Sequence, residues 1–204
     1  MITTKIFRYD RQREDLYRLL EFRYFAFVEE LHYLPSKSEF QLLQMEFDHY
    51  DIYSEHIIIE KFNEIIACAR VIRCNEIGLP VFDRIMPSLY KQLSLQNTAE
   101  VSRLIVKKEY RSSFIYTKLL QTVFDSLLKL QCTYVLADTF INSDSYNLLL
   151  SLGLKKASKE YNDVLFSPEI HSIVLYFKME EMKEKLMKAP TPRQRAFLKS
   201  YKMS

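Results

Sequence analysis

The sequence predicts one domain of mixed α/β class, in which helices cover both faces of a mixed central sheet. Short segments rich in isoleucine, valine and alanine alternate with longer segments whose apolar residues recur every three or four positions. The 204 residues are 48% hydrophobic and 27% charged, a composition typical of a globular protein with one core. We therefore expect one domain over residues 1–182, followed by a basic extension over residues 183–204.

The N-terminal half predicts helices on either side of a hairpin. Its two strand segments have strong β composition and are separated only by Phe62, Asn63 and Glu64, so they predict an antiparallel pair. The predicted elements are, in order, helices over 10–31 and 39–45, strands over 56–61 and 65–73, and a helix over 79–90.

The C-terminal half predicts strands that alternate with helices. Gly153 stands where a glycine is expected just after a helix, because it adopts the left-handed backbone at no steric cost. The predicted elements are, in order, a strand over 99–106, a helix over 115–128, a strand over 134–140, a helix over 143–152, one strand within 154–167 and a strand over 173–179.

The charge and the apolar runs exclude several classes of protein. A net charge of +3 and a pI near 8.6 are too mild for a nucleic-acid-binding surface. The longest apolar runs fall far short of the roughly 20 residues that a membrane span needs. Three cysteines without metal-ligand spacing predict no metal site, and the N-terminus lacks a signal-peptide pattern. We expect a protein of a bacterial-type cytoplasm.

The chain has only two glycines, Gly78 and Gly153. Nucleotide-binding loops of the Walker and dinucleotide types need several glycines so that the backbone can approach phosphates closely. The sequence therefore excludes nucleotide hydrolysis and hydride transfer through those loops.

Charged residues within apolar segments are the first candidates for function. Arg70 lies in the apolar segment 65–72, where an unpaired charge would be costly. Arg23 lies one helical turn before Phe27, and Asp48 and Asp51 follow in a short acidic segment. Structural ion pairing explains this pattern as well as catalysis does.

A second candidate group lies in the segment 99–106. Alternation along a strand places Glu100 and Ser102 on one face and Arg103 on the other, unless a β-bulge resets the register. The order and spacing leave both a catalytic and a structural role open.

Taken as an ordered set, these residues and Phe82 resemble the acyl-homoserine-lactone synthase family and the related N-acyl amino acid synthases, two branches of the GNAT acyltransferase superfamily. The resemblance implies a single-domain GNAT-like fold. It implies an N-acyltransferase that moves a fatty acyl chain from an acyl carrier protein or coenzyme A thioester to the amino group of a small amino-acid-like acceptor. No permanently bound cofactor and no metal are implied.

Two other functions remain open. One is an acyl-homoserine-lactone (autoinducer) synthase that uses S-adenosylmethionine, and the other is a non-catalytic GNAT-like binding module. Homoserine-lactone synthases carry a tryptophan a few residues after the Arg-Phe pair, whereas this chain has none. This departure favours a simpler amine over S-adenosylmethionine as the acceptor.

The resemblance also implies roles for single residues. Glu100 would be the general base, with Ser102 and Arg103 beside it as the other catalytic residues. Arg103 and Arg70 would orient the acids or bind an acceptor carboxylate. The implied substrate-binding residues are Arg23, Phe27, Asp48, Asp51, Arg70, Phe82 and Phe140.

The stretch 111–116 aligns with the GNAT loop that holds the pyrophosphate of coenzyme A. Phe114 and Tyr116 replace its small residues, which disfavours coenzyme A and favours acyl carrier protein as donor. That carrier is acidic, and a basic rim formed by Lys107, Lys108, Arg111 and Lys118 would suit its docking. The implied carrier-binding residues are Ile105, Val106, Arg111, Ser112 and Ser113.

Overall fold

The computed structural model describes residues 1–34, 42–93, 97–111, 114–141, 143–163, 166 and 168–188. The strands are β1 Ile2–Arg8, β2 Ser54–Lys61, β3 Glu64–Arg73, β4 Thr98–Val106, β5 Tyr134–Phe140, β6 Lys155–Lys156, β7 Tyr161–Asn162 and β8 His171–Lys178. The helices are α1 Arg13–Tyr24, which continues as a wider π-helical stretch over Phe25–Glu30, α2 Pro87–Tyr90, α3 Ile115–Lys129, α4 Asp144–Ser151 and α5 Met179–Lys188.

The strands form one sheet in the order β1, β2, β3, β4, β5, β8, β6, and β7 also pairs with β8. All neighbours are antiparallel except β4 and β5, which are parallel. The predicted hairpin is β2–β3, and Phe62 and Asn63 turn it with positive φ angles of 51° and 66°. The predicted mixed sheet is confirmed.

The parallel pair β4–β5 is short and opens into a cleft. Its pairing runs only from Thr98–Tyr134 to Val101–Ala137, although both strands continue beyond it. At this point β4 contains a bulge, because Arg70 pairs with Ser102 while Cys68 pairs with Ile105. The sheet therefore splits between β4 and β5 from Ser102 onward.

Apolar clusters cover both faces of the sheet. On the first face α3, α4 and α5 pack against the strands, with Leu119 and Leu127 of α3 at 0% and 1% exposure. On the second face α1 packs against β2 and β3 around Ile58 and Cys68. The segment 79–89 packs against Ile72 and neighbouring strands farther along the same face. These two clusters of the second face flank Arg70, which lies between Cys68 and Ile72 on β3.

Most predicted elements match the structure closely. The strand predicted over 134–140 has the observed bounds of β5, and the predicted helix over 115–128 is α3. The predicted helix over 143–152 is α4, where Ser143 Oγ caps the first turn by accepting from Tyr146 N, and Gly153 follows with a φ of 94°. The periodicity of these segments was strong enough to define them.

Three predictions need correction, and one strand was not predicted. The sequence analysis missed β1, although five of its seven residues are isoleucine, threonine or phenylalanine, which favour strands. The helix predicted over 79–90 is helical only over Pro87–Tyr90, because prolines at 80 and 87 break the pattern. The long first helix begins later and ends in the π-helical stretch. The strand predicted within 154–167 is instead the two short strands β6 and β7.

Parts of two predictions lie outside the described residues. The helix predicted over 39–45 includes residues 39–41, and the predicted extension includes residues 189–204. Helix α5 runs across the expected end of the domain at residue 182, and Met182 packs into the first-face core.

We expect Leu119→Ala to lower the free energy of unfolding by about 2–5 kcal/mol, because it leaves a cavity beneath a fully buried side chain of α3. Urea unfolding followed by circular dichroism measures the change. Leu42→Ala is the matched control, since Leu42 is 84% exposed and its removal leaves no cavity. Equal stability of the two variants would contradict this account of the core.

Candidate active site

Six charged side chains form a closed ring in which arginines and carboxylates alternate. Each arginine pairs with two of the acids, and each acid pairs with two of the arginines. In order around the ring they are Arg23, Glu46, Arg103, Asp48, Arg70 and Asp51. The formal charges of the ring sum to zero, so burial does not leave it with a net charge.

Arg23 joins the ring from α1 and is 1% exposed. Its Nη1 donates to Asp51 Oδ1 at 2.7 Å, its Nη2 donates to Asp51 Oδ2 at 3.3 Å, and its Nε donates to Glu46 Oε2. The backbone N of Asp48 also donates to Asp51 Oδ2 at 2.9 Å, which fixes the short acidic segment locally. Arg23 therefore ties α1 to the segment that carries all three acids.

Arg70 and Arg103 complete the ring from the sheet. Arg70 Nη1 donates to Asp48 Oδ1 at 2.7 Å and to Asp51 Oδ1 at 2.9 Å. Arg103 Nη2 donates to Glu46 Oε1 at 2.8 Å and to Asp48 Oδ2 at 3.0 Å. Ser102 Oγ accepts from Arg70 Nε at 3.0 Å, so the serine orients the guanidinium. Together the two arginines contact all three acids of the ring.

The bulge in β4 decides on which face Arg103 lies. Its φ is 54°, a left-handed backbone angle that a non-glycine residue seldom adopts. Ser102 and Arg103 consequently both reach the ring, although successive residues of a regular strand would face opposite sides.

The arginines keep the ring carboxylates ionised. Burial alone would raise the pKa of Glu46, but the charges of Arg103 and Arg23 outweigh burial and the pKa lies below its ordinary value. The pKa of Asp51 is lowered in the same way, because Arg23 and Arg70 outweigh its burial. The ring is therefore a stable set of ion pairs at neutral pH.

A cavity of about 180 Å³ occupies the cleft between β4 and β5. Charged and polar side chains, including Arg103, Asp138 and Thr139, line part of it. Its remaining wall is mainly apolar and extends into the core under α3 through Leu120, Val123, Phe124 and Leu127. The cavity is suited to a molecule with a polar reactive end and a long hydrocarbon tail.

Glu100 lies close to this cavity but is not one of the residues that line it. The side chain is 1% exposed, and its Oε2 has no hydrogen-bond partner. Burial, reinforced by the nearby Asp138 carboxyl, raises the pKa of Glu100 to about 8, although Arg70 and Arg103 act in the opposite direction. Glu100 is thus a buried carboxyl outside the neutral ring that can exchange a proton near neutral pH.

The aromatic residues predicted to bind substrate divide into two groups. Phe27 and Phe140 line the cavity, with the Phe27 ring 5.7 Å from the Arg103 guanidinium carbon. Phe82 lies away from it, against Tyr90 at 5.4 Å between ring centroids and beside Gly78. The structure therefore brings the ring residues, Phe27 and Phe140 together but leaves Phe82 outside the cavity wall.

The residues predicted to bind the carrier lie at the side of the cavity next to α3. Ile105, Val106 and Arg111 line it. Arg111 is itself held by two protein acceptors, the Val106 backbone O at 3.0 Å and Glu30 Oε1 at 2.9 Å. Ser112 and Ser113 lie outside the described residues.

Sequence reasoning gave no role to Glu46 in the ring or to Asp138 in the cavity. Asp138 interrupts the apolar segment 134–140 as Arg70 interrupts 65–72, and this was the available signal. Glu46 lies in an irregular segment, where the spacing of residues does not show in which direction a side chain points. Among the described residues no group of three or more histidine, cysteine and acidic side chains is placed to hold a metal ion.

Comparison with known proteins agrees with this architecture. Residues 22–121 match the family described as "Acetyltransferase (GNAT) domain". The chain contains a GNAT acetyltransferase domain. No helix in the described part of the chain is long and apolar enough to cross a membrane. No curated protein matches the sequence at a significant level.

Solved structures share the GNAT fold at low sequence identity. MesI, a CoA-dependent acyl-homoserine lactone synthase, has a TM-score of 0.65 and 14% identity over 89% of this chain and 94% of that chain. FeeM, an N-acyl amino acid synthase from uncultured soil microbes, has a TM-score of 0.62 and 14% identity over 90% and 94%. ElaA from Escherichia coli has a TM-score of 0.63 and 18% identity over 86% and 99%. The predicted fold and superfamily are confirmed.

We expect Arg70→Ala to lower the free energy of unfolding of the GNAT domain by about 3–5 kcal/mol, because it leaves Asp48 and Asp51 short of a buried cation. Lys155→Ala is the control, since it breaks a surface ion pair with Glu181 and is expected to cost at most about 1 kcal/mol. Urea unfolding measures both. A loss below about 1 kcal/mol for Arg70→Ala would contradict a stabilising role for the ring.

Proposed function

We propose that this protein is an N-acyltransferase that moves a fatty acyl chain from a thioester donor to the amino group of a small amino-acid-like acceptor. The observation that carries the proposal is the cavity in the split sheet, which joins the polar groups beside β4 to an apolar interior under α3. The thioester carbonyl would lie among the polar groups, and the acyl chain would extend into the apolar part.

Carbonyl activation would come from the backbone of β4. Beyond Val101 this strand no longer pairs with β5, so backbone groups on that edge face the cleft. The N–H groups of residues 102–105 are the candidates to stabilise the oxyanion that forms when the amine attacks. Ser102 and Arg103 would keep this edge in position through the bulge and the ring.

Glu100 is our candidate for the general base. The amine nitrogen attacks the thioester carbonyl carbon, its proton passes to a Glu100 carboxylate directly or through a water, and the C–S bond breaks. The thiolate then takes up a proton and leaves as the thiol. A carboxyl with a pKa of about 8 is a stronger base than an ordinary glutamate, and about one-tenth of it is ionised at pH 7.

The donor is proposed to be acyl carrier protein. Phe114 is 62% exposed at the position where a coenzyme A-binding loop needs small residues. Of the basic rim, Lys107 pairs with Glu64 and Arg111 pairs with Glu30, while Lys108 is exposed. An acidic carrier would compete for these cations. Acyl carrier protein is a cytoplasmic partner, and we propose that the reaction takes place there.

The acceptor is proposed to be an amino acid. All three guanidinium groups of the ring are engaged by protein carboxylates, so we assign them to positioning rather than to holding an acceptor carboxylate. The likeness to FeeM supports an amino-acid acceptor at the level of fold only. The likeness to MesI supports the second candidate, a homoserine-lactone synthase, in the same way.

The proposed function is tested by supplying octanoyl–acyl carrier protein or octanoyl-CoA with the common amino acids or with S-adenosylmethionine. Mass spectrometry of the products is the readout. We expect an N-octanoyl amino acid, formed faster from the carrier protein than from coenzyme A. An octanoyl-homoserine lactone would support the second candidate instead. Absence of any acylated product from folded protein would favour the non-catalytic binding module.

We expect Glu100→Gln to lower acyl transfer by about 10²- to 10⁴-fold at pH 7, because glutamine cannot accept a proton from the amine. Thermal unfolding should show that the variant remains folded, since glutamine keeps the size of the buried side chain. Glu160→Gln is the control, because Glu160 is exposed and lies outside the cavity lining. Retention of most activity by Glu100→Gln would remove Glu100 as a base.

A further inference from the structure

Asp138 is a second carboxyl beside Glu100, and it lines the cavity itself. In the parallel pairing of β4 with β5, Glu100 pairs with Leu136, and Asp138 follows two positions later on the same face of β5. Tyr161 on β7 donates its hydroxyl proton to Asp138 Oδ1 at 2.8 Å. The two carboxyls therefore lie on one face of the split sheet, with Asp138 nearer the open space.

We propose that Glu100 and Asp138 act together as the proton acceptor, and that the proton of the acceptor amine enters this carboxyl pair at Asp138. This inference rests on the proposed acyl transfer and names a second catalytic residue for it. It follows from position, because Asp138 lines the cavity whereas the Glu100 side chain is 1% exposed and does not line it. An incoming amine would meet Asp138 first.

The pKa values of the two carboxyls agree with proton uptake at Asp138. Burial raises the pKa of Asp138 to about 6, against the lowering effects of the Tyr161 hydrogen bond and of the Arg103 charge, while Asp163 adds to the rise. Burial and Asp138 together raise the pKa of Glu100 to about 8. Between these values the pair holds one proton and one negative charge. The charge then belongs mainly to Asp138, which is the form that can accept a proton.

The proton and electron balance is that of aminolysis. The amine nitrogen forms a C–N bond with the thioester carbonyl carbon, and its proton passes to the Asp138 carboxylate, so the pair then holds two protons. The tetrahedral intermediate expels the pantetheine thiolate, which takes one proton and leaves as the thiol. The pair returns to its singly protonated form.

Tyr161 is a positioning residue for this pair. Its hydroxyl donates to Asp138 Oδ1, which favours the ionised carboxylate and fixes its orientation at the cavity wall. The Tyr161 ring also contacts Arg84, whose guanidinium carbon lies 5.2 Å from the ring centroid. Removing the hydroxyl would raise the pKa of Asp138 without removing a base.

The first test compares Asp138→Asn, Glu100→Gln and the double variant, with octanoyl–acyl carrier protein as donor and the amino acid that the wild-type protein acylates as acceptor. We expect each single variant to lose about 10²- to 10⁴-fold in rate, and the double variant to lose no more than either. Asp125→Asn on α3 is the control, because Asp125 does not line the cavity. Multiplicative losses, or a loss below about threefold for Asp138→Asn, would overturn the shared pair.

The second test follows the pH dependence of the same reaction in Tyr161→Phe. Without its hydrogen bond the Asp138 carboxylate is less stable, so the acid limb of the rate profile should move to higher pH. Tyr17→Phe, an exposed change on α1, should not move it. The titration of the acceptor is common to all variants and cancels in the comparison. An unshifted limb in Tyr161→Phe would contradict the role of Asp138.

The third readout needs no activity. Carbon-13 NMR of labelled aspartate should show Asp138 titrating near pH 6, with a further shift near pH 8 that disappears in Glu100→Gln. A single ordinary step near pH 4 would refute the pair. If the wild-type protein transfers no acyl group to any acceptor, the proposed function fails together with the catalytic role of Asp138. If it transfers and Asp138→Asn matches it, only this inference fails.

Discussion

The ring of three arginines and three carboxylates is the interaction on which the rest of the structure depends. It joins four parts of the chain, namely α1, the acidic segment before β2, strand β3 and the bulge of β4. A buried ion pair is a weak source of stability by itself, because desolvation offsets most of the attraction. In a closed ring each ion has two partners, so no charge is left unpaired, and the loss of one member exposes the others to the full desolvation cost.

The three guanidinium groups of the ring all pair with ring carboxylates, so the carboxyls of Glu100 and Asp138 next to the ring have different surroundings. Glu100 Oε2 has no hydrogen-bond partner, and Asp138 Oδ1 accepts from a neutral tyrosine rather than from an arginine. Burial therefore dominates in both and raises the pKa of each, whereas the arginines lower the pKa of the ring acids. The carboxyls of the ring therefore stay ionised, whereas those of Glu100 and Asp138 can exchange a proton. The difference comes from the groups that each carboxyl contacts.

The sequence predicted the strands and helices wherever the apolar period was strong, as in α3 and β5. It also identified Arg70 as a charge that needs a partner, since an ion inside an apolar strand is costly. It did not predict that Glu46 is one of the partners of Arg103, because direction within an irregular segment depends on tertiary packing. The sequence also left undecided on which face of the sheet Arg103 lies. That depends on the bulge, which is set by the pairing of β3 with β4 and cannot be read from the sequence of β4 alone.

Arg103 links the ring to the cleft through one backbone feature. A positive φ at a non-glycine residue costs of the order of 1–3 kcal/mol and persists only where the surroundings fix it. Here the ion pairs of Arg103 with Glu46 and Asp48 supply that constraint. The same bulge directs β4 away from β5 just after Val101, where their pairing stops and the cavity begins. A change that released Arg103 would thus let β4 relax toward regular pairing, so the opening of the sheet and the closure of the ring depend on each other.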